Sequence, residues 1–222
     1  MAISLHTNKK MLQIQQFTFN PFQENTYILH NENKKAIIID PGNYFIEEDT
    51  QLQQFIIDNS LKVIQLINTH CHIDHVFGNA FVCNTFKVQP TFHKNEEIMY
   101  QNAPQAALRW GVELTQYNGS FTFIKEKDVV KIDEDELIVI EAPGHSPGHI
   151  CLYSKQQSFL IGGDVLFYES IGRTDLPMCN HNDLIKNIKE KIFTLPDETI
   201  VYAGHGQYTL IKHEKEFNPF VN

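Results

Sequence analysis

The stretch Asn68–Asn79, "NTHCHIDHVFGN", places three histidines and an aspartate between positions 70 and 75. No other part of the chain crowds ligand-type side chains in this way, and the rest of the sequence is best read from it. His70 and His72 stand two apart, so in an extended segment both imidazoles point the same way. Cys71 and Ile73 then point the other way, into the core. Asp74 and His75 follow as the chain turns toward a helix. One loop thereby offers two imidazoles to one cation, and a carboxylate plus an imidazole to a neighbouring cation.

Four donors do not complete two sites, and the chain holds three more in tight glycine settings. These are His145 in "APGHSPGH", Asp164 in "IGGDVLF" and His205 in "YAGHGQY". Glycine and proline permit the sharp turns that bring backbone and side chain close to an ion. An aspartate makes a natural bridge, because each of its two oxygens can bind one metal. Five imidazoles and two carboxylates without thiolates suit zinc first, with iron or manganese as alternatives. Two divalent cations about 3.5–4 Å apart would hold a hydroxide between them, since a metal-bound water has a pKa of about 7. The reaction class expected is metal-assisted hydrolysis.

Around these loops the apolar pattern predicts strands at 12–19, 26–30 and 36–40, the last stopped by Pro41-Gly42. A helix over 47–59 and a buried strand over 62–68 lead to His70, and helices follow at 76–86 and 94–110. A second strand set is expected at 121–124, 129–132, 137–142, 149–154 and 158–162, then a helix at 183–193, a strand at 199–203 and a short tail. Such an order predicts an α/β (α+β) fold of sheets covered by helices, in one domain over 11–222, with 1–10 as an extension. His70, His145, Asp164 and His205 each fall at or just past a strand end, where loops from distant segments converge.

Composition narrows the function further. With 42% hydrophobic residues in 222, the chain can bury a sizeable core. A net charge of −9 offers no basic footprint for nucleic acid or an acidic membrane, so a small-molecule substrate is expected. No apolar run approaches the roughly 20 residues of a membrane span, and the N-terminus lacks a secretory pattern, which places the protein in the cytoplasm. The four cysteines form no CxxC pair and read as reduced, mostly buried thiols. His6, His30, His93, His181 and His213 stand alone and read as structural. His149 opens a strand close to His145, and the expected role is a hydrogen bond that supports a ligand. There is no GxSxG nucleophile turn, no P-loop and no dinucleotide fingerprint.

In this order, "THCHIDH", "PGHSPGH", "GGD" and "AGHG" resemble the metal-binding motifs of the metallo-β-lactamase superfamily, a likeness that covers about residues 11–220. The resemblance implies a four-layer αβ/βα sandwich with a binuclear centre along one edge. It also implies that His70, His72 and His145 hold one metal, that Asp74, His75 and His205 hold the other, and that Asp164 bridges them. Within the superfamily, "NPFQENTYIL", "IIIDPGN", "SIGRTDLP" and "GHGQYT" resemble the glyoxalase II group, hydroxyacylglutathione hydrolases that cleave a thioester. Full-length members carry a helical C-terminal domain that builds much of the glutathione site. Only 17 residues follow His205, so that domain is expected to be missing.

Arg173 follows Asp164 by the spacing of a glutathione-contacting lysine in the larger enzymes. The resemblance makes it an anchor for an anionic thioester, and the plainer reading is a loop arginine paired with Asp175. Persulfide dioxygenases share the fold, the HxHxDH loop and a "GRTD" stretch, and imply the alternative of one iron on His70, His145 and Asp164. They resemble "AHD" rather than "GHG" at the last histidine, which ranks oxidation second. A β-lactamase is weaker still, because many of those enzymes carry a cysteine where this chain has Asp164.

Overall fold

The computed structural model describes residues 11–221, and the extension expected over 1–10 lies outside the described residues. The first sheet contains β1 (Gln13–Phe19), β2 (Glu24–His30), β3 (Lys35–Ile39), β4 (Lys62–Ile67), β5 (Pro90–His93) and β6 (Thr122–Ile124), adjacent in that order. The β1–β2 and β2–β3 pairs are antiparallel, and the later pairs are parallel. The chain then forms β7 (Val129–Ile132), β8 (Asp135–Glu141), β9 (Ile150–Ser154), β10 (Phe159–Gly163), the short hairpin β11 (Leu166–Phe167) and β12 (Ser170–Ile171), and finally β13 (Ile200–Ala203) and β14 (Thr209–Leu210). The second sheet has the order β14-β13-β10-β9-β8-β7, with β10 and β13 parallel.

The alternation along β2 shows why the sheets stack. Tyr27 and Leu29 join Ile37, Leu137, Val139 and Leu152 in an apolar layer between the two sheets. Ile28, on the opposite face of the same strand, packs with Ile38 beneath Leu52 and Ile56 of α1 (Ile46–Asp58). All seven residues of β2 are buried, as expected of a strand covered on both faces. On the far side Tyr153, Leu160 and Val201 meet Leu184 and Ile188. The layers are therefore helix, sheet, sheet, helix, the sandwich that the resemblance implied.

Some elements depart from the expectation. The helix expected over 76–86 is two, α2 (Ile73–Val76) and α3 (Asn79–Phe86), broken at Gly78, whose N–H donates to the Pro41 carbonyl at 2.7 Å. A Cβ at Gly78 would run into Asn43, so the break fits that side chain. The helix expected over 94–110 begins as a 3-10 turn at Lys94–Glu96 and continues as α4 (Glu97–Arg109), which holds Pro104 in its interior. Proline has no N–H for the Tyr100 carbonyl, and Gln116 Nε2 supplies that bond at 2.7 Å. The helix expected over 183–193 is α5 (His181–Glu190) followed by a 3-10 turn at Ile192–Thr194. The expected tail is structured, as β14 and α6 (Ile211–Phe217). No helix among the described residues is long and apolar enough to cross a membrane.

Candidate metal centre

Strand direction brings the proposed donors to one edge. β4 lies parallel to β3 and β5 and hands the chain to the loop of His70, while β10 and β13, also parallel, end one residue before Asp164 and two before His205. The turn between β8 and β9 supplies His145. Gly204 N–H donates to the Gly163 carbonyl at 2.8 Å, and Asn25 N–H donates across the seam to the Gly204 carbonyl at 2.7 Å. The Asn25 side chain donates to the carbonyls of Ala203 and Gly206 at 3.1 and 2.8 Å, and the Tyr27 hydroxyl reaches Ala203 at 2.6 Å. Residues of the first sheet thus clamp the last donor loop of the second. Gly204 is obligatory for space: a Cβ there would collide with Asp164 Oδ1 and stand 2.8 Å from His75 Cε1.

The structure brings all seven donors together. Ring nitrogens of His70, His72 and His145 lie within 4.8 Å of one another, as do the ligand atoms of Asp74, His75 and His205. Asp164 stands between the two groups. Its Oδ2 is 3.4 Å from His145 Nε2 and 3.5 Å from His205 Nε2, and its Oδ1 is 3.4 Å from His75 Nε2. Two ligands bonded to a tetrahedral ion at about 2.0–2.1 Å stand about 3.3–3.4 Å apart, so these separations match a coordination sphere. Asp74 Oδ2 is 3.2 Å from His205 Nε2, and His72 Nδ1 faces His145 Nε2 at 2.8 Å.

Hydrogen bonds on the outer nitrogens fix which ring nitrogen faces inward. His75 Nδ1 donates to Asp40 Oδ2 at 3.1 Å, His145 Nδ1 to the Arg173 carbonyl at 2.8 Å, and His205 Nδ1 to the Phe22 carbonyl at 3.1 Å. His70 Nδ1 donates to Thr69 Oγ1 at 3.1 Å, and that hydroxyl donates onward to Asp40 Oδ2 at 2.6 Å. Each of these four rings therefore turns Nε2 toward the donor cluster. Among the described residues, Nε2 of His70 and His75 and Oδ1 of Asp164 are buried without a hydrogen-bond partner. Buried polar atoms are seldom left so, and three that converge on one place fit a cation. Asp40, His70 and His75 also cluster, but Asp40 already accepts from Thr69 and His75 and so acts as an outer support.

The electrostatics agree. Burial pushes the rings of His70, His145 and His149 below the usual imidazole range and His72 down to about 3, which favours their neutral form. Burial opposes charge on His75 too, yet Asp164 and Asp74 beside it raise its value well above the ordinary one. His205 is raised against burial by its bond to Asp74. Burial likewise opposes ionisation of Asp164, but the rings of His75, His205 and His145 hold its carboxyl well below the usual range. Carboxylates that draw positive charge toward buried imidazoles suit a place that holds a cation.

Supporting residues surround the donors. His149 Nε2 accepts the Asp164 N–H at 3.0 Å and its ring stacks on His70, the kind of role expected from its position. Glu96, fully buried, accepts Cys71 N–H at 2.8 Å and Gly148 N–H at 2.6 Å, tying the loop of His70 to the loop of His145. Asp40 adopts φ 48°, a left-handed backbone that aims its carboxylate at Thr69 and His75. Asp40, Glu96 and Asn25 were not legible as site residues in the sequence; the signal available was that "IIIDPGN" and "NPFQENTYIL" resemble family stretches. His93 and His213 pair with Glu141 and Glu169 away from the donors, both at 3.0 Å. His30 and His181 also lie apart, in contact with Phe55 and Thr174. His6 lies outside the described residues.

A cavity of about 700 Å3 opens over Asp74, His145, Asp164 and His205. Its walls include Phe22, Met99, Trp110, Phe167 and Leu176. Arg173 lines the cavity and binds Asp175 through two bonds of 2.7 and 2.8 Å, the pairing of the plainer reading.

Residues 19–205 match the family described as the Metallo-beta-lactamase superfamily. The chain belongs to that superfamily, and its class is that of the superfamily's metallo-hydrolases. Among individual proteins it is similar to the hydroxyacylglutathione hydrolase GloC of Haemophilus influenzae, 34% identical over 90% of this chain and 94% of that one. It is also similar to the solved B3 metallo-beta-lactamase BLEG-1, with a TM-score of 0.87 and 33% identity over 95% of this chain and 100% of that one. TTHA1623, solved in a di-iron-bound form, gives a TM-score of 0.84 at 30% identity and covers 93% of this chain and 99% of its own.

Proposed function

We propose that the chain is a metal-dependent hydrolase of acyl thioesters of the hydroxyacylglutathione type. The observation that carries this reading is the meeting of two three-donor groups at a shared aspartate beneath an open, apolar-walled cavity. His70, His72 and His145 would hold one divalent ion, Asp74, His75 and His205 a second, and Asp164 would bridge them. Nitrogen and oxygen donors favour zinc, and the di-iron form of TTHA1623 makes iron the alternative. When bound, such ions acidify a water to a pKa of about 7 and polarise a carbonyl oxygen.

The chain's own residues supply the rest. The cavity walls shed water from the thioester and set its carbonyl over the donor cluster. Asp74, still 15% exposed on the cavity side, offers an oxygen that orients the attacking water and receives its proton. His149 holds the Asp164 backbone and Gly204 leaves room for its carboxylate, so the cluster is organised before substrate arrives. Similarity to GloC supports the thioester as the bond cleaved, and similarity to BLEG-1 supports a lactam as the second reading.

Metal analysis of the purified protein, joined to assays of thioesters, a β-lactam and a persulfide under air and under nitrogen, tests this. Two ions per chain and oxygen-independent thiol release are expected. Oxygen uptake with a persulfide on a single iron would overturn the proposal, as would faster lactam than thioester cleavage.

A further inference from the structure

The cations that face the cavity are a selected set. Of the 18 basic residues two are arginines, Arg109 and Arg173. Both line the cavity, and no lysine does. The acids in the lining are Asp74 and Asp164, which belong to the donor cluster. Beyond the cluster, therefore, a chain of net charge −9 presents an apolar wall carrying two guanidinium groups. Guanidinium differs from ammonium in offering a planar, weakly hydrated fork that matches an oxyanion in two-pronged fashion.

The two arginines are not equivalent. Arg173 spends Nε and Nη2 on Asp175 at 2.7 and 2.8 Å and is held 6.0 Å over the Trp110 ring. Arg109, the last residue of α4 and the neighbour of Trp110, makes no side-chain hydrogen bond or ion pair among the described residues. It is the cavity's uncommitted positive charge. Arg109 is exposed at the cavity rim, open to an incoming oxyanion that its guanidinium can bind through a charge-assisted bond.

We propose that Arg109 receives an oxyanion at the far end of the thiol half of the substrate, with Arg173 as a fixed second cation, and so sets the preference for a charged over a neutral thiol half. This rests on the thioester reading above. The cavity size, about 700 Å3, suits a substrate that spans from the donor cluster to α4.

The test compares metal-loaded wild type, Arg109→Ala and Arg109→Lys on thioesters sharing one acyl group, with glutathione, its diester or 4′-phosphopantetheine as the thiol. In wild type, kcat/KM for the glutathione thioester should exceed that for the diester by about tenfold or more, chiefly through KM. Arg109→Ala should lower kcat/KM about tenfold more for the charged thioester than for the diester, and Arg109→Lys should recover only part. Preference for the phosphate-bearing thioester would keep the receptor and make phosphate the natural oxyanion. Equal handling of charged and neutral thioesters by wild type, or equal losses on both in Arg109→Ala, would overturn it. Calorimetry with S-hexylglutathione and its diester separates the two readings. Charge-dependent binding that disappears in Arg109→Ala without any thioester cleavage upholds the receptor and rejects the hydrolase, and cleavage without charge preference does the reverse.

Discussion

Asp40 shows how much of the site lies one bond behind the donors. Its carboxylate takes N–H or O–H bonds from Thr69 and His75, and through Thr69 it also orients His70. Asp40→Asn keeps the shape and tolerates the left-handed backbone but puts an amide where two donors converge. Loss of such an outer partner typically costs about 10–100-fold in metal affinity, and titration against a chromophoric chelator should show a loss of that size. Unchanged affinity would remove Asp40 from this role. Asp74→Ala and Asp164→Ala delete proposed ligands outright, so each should lower metal content and reduce kcat by more than the roughly 100-fold that outer partners cost. Near wild-type turnover in either variant would sink the assignment.

Helices and strands divide the labour between stability and chemistry. Leu52 of α1 is fully buried against the first sheet, far from the donor loops in the packing order. Leu52→Ala should cost about 2–5 kcal/mol in denaturant melts while leaving metal stoichiometry intact. A loss of metal at full loading would show instead that α1 shapes the site. The long elements were legible because their apolar periods are strong: β2, β3, β4 and α1 fall within a residue or two of expectation. β5, only Pro90–His93, opens on a proline that reads as a break, and β14 has two residues, too few for any period to register. The seven donors were legible because glycines and histidines cluster in sequence. Glu96 was not, because its two partners, Cys71 and Gly148, lie 25 and 52 residues away and nothing local marks the bond.

For the folded protein as a unit, acidity and metal compete for the same groups. The rings of His70, His72, His145 and His149 are lowered by burial, so their contribution to stability is complete above the unfolded value of about 6.5. It is lost as pH falls through the folded values, which for His72 is about 3. His75 and His205 are raised and have the opposite sign, their contribution fading as pH climbs through their folded values. Glu24 and Glu96, raised by burial, share that second sign, so opposing groups balance in the metal-free protein. Added metal should raise the melting temperature more at the higher pH, where fewer protons must be displaced. A metal-induced rise as large at about pH 5 as at about pH 7 would contradict the neutral state of the donor rings.

His70, His72, Asp74 and His75 come from the first sheet's side of the seam, and His145, Asp164 and His205 from the second's. Neither half of the chain carries a complete pair of coordination spheres. An ion seated there would act as a rivet through two plates, with the apolar layer between the sheets holding the middle. A sandwich pinned in this way would answer removal of the ion by loosening first at that rim.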